Sequence, residues 1–147
     1  MAITSALCTS FKVELLKGVH DFTNSTGDTF KIALYTDAAT LDSTTTVYNA
    51  ANEASGTGYT AGGNTLVNVT PTSDSATAIT SFGNTSWDNS TITARGALIY
   101  NASEANKAVA VIAFPINYTS SAPSLSLCPL LLAQKLSLGL IKWLIKT

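Results

Sequence analysis

Hydrophobic positions along the chain change spacing several times, and each change marks an element. Near the start, Leu7, Phe11, Leu15 and Val19 recur at four-residue steps, with Leu16 widening the stripe. That spacing predicts a helix over 4–19, capped by Thr4 or Ser5 and ended by Gly18 and the turn Asn24-Ser25-Thr26-Gly27. Such a helix packs on a sheet or docks on a neighbouring subunit, and the first is the commoner arrangement. From Thr29 to Thr36 the period falls to two: Phe30, Ile32 and Leu34 alternate with Lys31, Ala33 and Tyr35. Shorter alternating runs follow at Thr65–Thr70, Thr77–Phe82, Thr85–Trp87, Thr91–Tyr100 and Lys107–Phe114. The last two flank a polar turn, Asn101 to Asn106, and predict an antiparallel hairpin.

These elements predict a mainly β chain. The expected core is an antiparallel β-sandwich or jelly-roll-like sheet pair with an N-terminal helix, forming one domain over 1–118. Residues 119–147 read differently. Beyond Pro115 there is no Asp or Glu, and Leu and Lys take over. Pro129 to Lys146 has the pattern of an apolar helix with Lys135, Lys142 and Lys146 on one side. As a membrane span it is poor, because Lys135 at mid-segment would cost about 2.5–3.5 kcal/mol. A surface-seeking amphipathic helix is the physically reasonable form of it.

Composition narrows the function classes. Of 147 residues only 12% are charged against 46% hydrophobic, and the missing charge is replaced by Thr, Ser, Asn and Gly. Such a chain folds without disulfides or metals, and its net charge of -1 offers no basic stripe for nucleic acid. Met1 to Ser10 lacks the basic-then-apolar profile of a signal peptide, so synthesis in a cytoplasm is expected, and the Asn-x-Ser/Thr triplets follow from composition.

Candidate chemistry is sparse. His20 is the one histidine, set at a helix end beside Asp21, where electrostatic fit to the helix terminus is the ordinary role. Cys8 and Cys128 read as free thiols, and Cys8 has no basic neighbour to activate it. The stretch Gly56-Thr57-Gly58-Tyr59-Thr60-Ala61-Gly62-Gly63 superficially resembles a phosphate loop, but no Gly-Lys-Ser/Thr follows. It reads instead as a long surface loop. Asp28, Asp37, Asp42, Asp74 and Asp88 lack calcium-loop spacing, and Arg95 inside a strand is expected to meet a carboxylate across the sheet or at an interface. No catalytic, cofactor-binding or metal-binding residue is expected, and the chain is read as no enzyme.

Five stretches carry something more specific. They are Phe11 to His20, Phe30 to Thr36, Gly56 to Leu66, Ile92 to Asn101 and Asn106 to Val111. In this order they resemble a family of small structural proteins from tailed-bacteriophage virions, over roughly the first four-fifths of the chain. The resemblance implies a capsid decoration (cement) protein made in the host bacterial cytoplasm and located on the capsid surface. Its implied partners are the major capsid protein and further copies of itself, a trimer by preference, with no nucleic acid, no membrane and no cofactor. The alternative is a tail or adhesion component, with glycan binding through Trp87 and the glycine loop.

The C-terminus departs from that family's pattern. Where members carry an alternating strand of the type Thr-Phe-Thr-Val-Thr-Met-Pro, this chain reads Pro123-Ser124-Leu125-Ser126-Leu127-Cys128-Pro129. A coding string for that strand, read one nucleotide later, gives this run. Our hypothesis is therefore that residues from about Thr119 onward are frameshifted, which predicts a missing last strand and an open sheet edge. Translating the gene in the other frame tests it, and finding no β-like ending there would remove the idea.

Overall fold

In the computed structural model, residues 2–120 are described in full, and 121, 124–128, 132–134 and 144–146 by backbone course alone. The chain is mainly β, with antiparallel sheets and an N-terminal helix. In chain order the elements are β1 (Ala6–Leu7), α1 (Thr9–Leu16), β2 (Phe30–Tyr35), β3 (Asn64–Thr65), β4 (Asn68–Asp74) and β5 (Thr77–Phe82). Then come β6 (Thr85–Asp88), β7 (Thr91–Asn101), β8 (Lys107–Ser121), β9 (Ser124–Cys128), β10 (Leu132–Gln134) and β11 (Leu144–Lys146).

The central sheet has the order β1-β8-β7-β2-β3. Its heart is the expected hairpin, with Leu98 opposite Val111, and β2 antiparallel on the other edge of β7, with Ile32 opposite Ile99. Two smaller sheets, β10-β5-β4 and β11-β9-β6, complete the fold.

In the centre both sheet faces are buried, because two connections cross it on opposite sides. One face carries Phe30, Ile32 and Leu34, and α1 with the segment after it lies there. Phe22 stacks on Phe30 at 4.4 Å, Phe82 sits 5.4 Å from Phe30, and Phe11 meets Phe22 edge-on at 6.0 Å. Four buried aromatic rings of this size dominate the apolar burial on that side.

The other face is crossed by a strap. Val47 bridges Lys107 on the outer edge of β8, and Glu53 bridges Tyr35 on the outer edge of β2. Between those points the strap spans β8, β7 and β2, with Tyr48 stacked on Tyr100 at 4.6 Å. The glycine loop follows and returns along β2.

The helix is shorter than the stripe predicts. Residues 4–8 do not join it: Ala6 and Leu7 pair with Val111 and Ala110, and the Cys8 N–H donates to the Val109 carbonyl. The open edge of β8 satisfies those backbone groups better than a first helical turn, so the N-cap is Cys8 and no side chain caps α1. The C-terminal helix expected over Pro129 to Lys146 lies outside the described residues except at Leu132–Gln134 and Leu144–Lys146, and both of these are strands.

Ser124–Cys128 is also a strand, so this part of the tail supplies an edge partner where a missing one was expected. β9 pairs with β6, placing Leu125 opposite Trp87 and Leu127 opposite Thr85. Its Ser/Leu alternation has the strand period.

Candidate functional site

Two polar networks lie inside the covers, one on each face of the central sheet. The first forms where α1 meets the hairpin. Glu14, near the helix end, accepts from Lys107 Nζ at 3.0 Å through Oε1 and meets His20 Nε2 at 2.9 Å through Oε2. The His20 ring is buried between Phe11 and Phe30. Its Nδ1 lies 2.9 Å from Asn101 Nδ2, which also donates to Asp28 Oδ2 at 2.8 Å. Burial pushes the Glu14 carboxyl up, but the hydrogen bonds and charges of Lys107 and His20 more than offset this and hold it below its ordinary value.

The second network centres on Glu53, where the strap reaches β2. Its carboxylate accepts from the Tyr48 hydroxyl at 2.5 Å, the Tyr59 hydroxyl at 2.6 Å and the Gly62 N–H at 2.7 Å. Tyr59 accepts in turn from the Leu34 N–H, and the Tyr100 hydroxyl donates to the Gly62 carbonyl. Burial, reinforced by the Glu53 charge, pushes the phenols of Tyr35, Tyr48 and Tyr59 up. Each is a neutral donor.

The glycine loop is therefore part of the scaffold. Gly63 has φ +71°, and a Cβ there would lie 1.8 Å from the Ile32 carbonyl oxygen. The amide a phosphate would seek, on Gly62, already faces a carboxylate. Glycines here let backbone approach backbone.

Neither network has a nucleophile beside a base. His20 has the carboxylate and the amide but no hydroxyl or thiol against its ring. Cys8 is fully buried with its thiol pushed up to about 12, by burial first and then by the charges of Asp42 and Glu14. Among the described residues Arg95 forms no ion pair with a carboxylate, and its Nη1 is buried without a hydrogen bond. Trp87 is 2% exposed and stacked near Tyr59, so it presents no ring face for a glycan. Among the described residues no group of His, Cys, Asp or Glu has the arrangement of a metal site, and no helix is long and apolar enough to cross a membrane. A groove of about 280 Å³ beside the strap, reaching Tyr35, Leu41, Val47, Asn49 and Asn52, is lined by no carboxylate, amine or imidazole.

Sequence reasoning placed His20 at a helix end but missed its burial, and it missed the Glu53 network entirely. The signal was the clustering of Tyr48, Glu53 and Tyr59 in an otherwise small-residue stretch. What faces outward is different in kind. The β4–β5 hairpin exposes Val69 through Ala76, a run of Thr and Ser around Pro71, and Val67 beside it is 63% exposed. On α1, Val13 and Leu16 point out between Lys12 and Lys17. No family model, curated protein or solved structure matches the chain.

Proposed function

We propose that this chain is a virion structural protein of a tailed bacteriophage, acting as a capsid decoration (cement) protein. In this reading it binds the major capsid protein on the outer shell as a homo-oligomer, a trimer by preference, and catalyses nothing. The observation that carries the reading is where the resembling stretches fall. Phe11 to His20, Phe30 to Thr36, Gly56 to Leu66, Ile92 to Asn101 and Asn106 to Val111 lie on α1 and its exit, β2, the glycine loop, β7 and β8. These elements form one packed unit, the central sheet with its covers.

Two physical features support the role. In the two interior networks Glu14, His20 and Glu53 are held by hydrogen bonds, and neither network sets a nucleophile beside a base. The outer surface offers a polar, hydrogen-bonding hairpin of low charge, which suits broad contacts repeated over many copies, where each can be weak.

The test is cryo-electron microscopy of purified virions. Density for this fold repeated across the icosahedral shell is the expected result. Density confined to the tail moves the function to adhesion or assembly, and absence from the particle removes the structural role.

A further inference from the structure

The seam between α1 and the sheet contains a histidine whose proton position is set by its neighbours. Asn101 is fully buried, and its Oδ1 accepts from the N–H groups of Ser103 at 3.0 Å and Glu104 at 3.2 Å. The amide cannot be turned round without losing both, so its NH2 faces inward, with one hydrogen for Asp28 Oδ2 and one for His20 Nδ1. His20 Nδ1 is therefore the acceptor, and Nε2 carries the proton it donates to Glu14. Every polar atom of the ring is used by a different element: Glu14 from α1, and Asn101 from the end of β7.

From this geometry we propose that His20 is an acid-sensitive latch that couples the α1 seam to the β7–β8 turn. A proton added at Nδ1 sets N–H against the Asn101 NH2, two donors face to face. Asp28 Oδ2, the acceptor on the other side of that NH2, is already occupied by it and by the Asp21 N–H. Asn101 must give way, and Ser103 and Glu104 lose the oxygen that holds the turn. The charged groups around the ring are Glu14 from the helix, Asp28 from the approach to β2, and Lys107 from β8, which faces it through Glu14. The latch does not depend on the virion reading.

The chain has a single histidine, so an imidazole ring signal that titrates between about pH 8 and 5 has one assignable source. The experiment is a titration followed by 1H–15N and ring 1H–13C correlation spectra of the whole protein. The Ser103, Glu104 and Asp21 amides are expected to move with the midpoint of the His20 ring, and His20→Gln is expected to abolish that movement. Asn101→Asp replaces the opposing donor with an acceptor and is expected to raise the ring midpoint by at least about one pH unit. The Asn101→Asp arm stands even if His20→Gln fails to fold. A ring that does not titrate in this range, turn amides that do not follow it, or an unchanged midpoint in Asn101→Asp would each overturn the proposal.

Discussion

The two covers of the central sheet do the same job by opposite means. On the α1 side the cover is aromatic, with Phe11, Phe22, Phe30 and Phe82 in mutual contact and the Glu14 network at its margin. On the strap side the large side chains are tyrosines; the hydroxyls of Tyr48, Tyr59 and Tyr100 converge on Glu53 and Gly62, and that of Tyr35 donates to the Asn49 carbonyl. Each cover is fastened by one carboxylate. Glu14 is held by groups that carry or can acquire charge, whereas Glu53 is held by two phenols and a backbone amide. A helix satisfies its own backbone, so its cover is mainly apolar, with Glu14 bonded to Lys107 and His20 at the margin. An irregular strap has unpaired backbone to satisfy, so its cover has to be polar.

Substitutions can break this contrast, beginning with the most damaging. Gly63→Ala drives a Cβ into the Ile32 carbonyl at a backbone with φ +71° and is expected to cost about 4 kcal/mol or more in urea unfolding. Phe30→Ala removes the ring on which the aromatic cover is stacked, and about 3–5 kcal/mol is expected by the same assay. Glu53→Ala leaves two hydroxyls and an amide without their acceptor, for about 2–4 kcal/mol. If Glu53→Ala matched a surface substitution, the strap would not depend on its polar network.

Acid distinguishes the fastenings further. Because the folded state holds the Glu14 carboxyl below its ordinary value, the stability it contributes is fully present above the unfolded value, near pH 4.3, and is lost as pH falls through the folded one. Glu14→Gln is expected to flatten that part of the stability profile in urea titrations run from pH 6 to about 2.5. The smallest effect is expected at Leu16, which is 88% exposed on the outer side of α1. Leu16→Ser should change stability by no more than about 0.5 kcal/mol. If the proposed capsid role holds, a larger loss of shell binding than of stability in that variant would place α1 at an interface.

Much of the strand content was legible from spacing. The strand over Thr77–Phe82 has the expected bounds, and β2 and β7 lie within a residue of theirs. β8 runs on from the expected Phe114 to Ser121, because past the exposed run at Pro115–Asn117 Thr119 pairs again with Thr93. That re-pairing is long-range and leaves no mark on local periodicity. Neither did the burial of Trp87, whose solvent face is lost to its place next to Tyr59.

By itself, then, the sequence determined β2, β7 and most of β8 in the central sheet, the existence of a helix before them and the low charge of the surface. These follow from side-chain spacing and composition, which are local properties. Tertiary structure alone decided where the helix begins, since the edge of β8 competes for residues 6–8. It also decided that the glycine loop serves the scaffold, and that His20 and Glu53 are buried and bound. Those outcomes depend on which distant backbone groups and side chains come within hydrogen-bonding reach, as Asn101 does for His20 across 81 residues of chain.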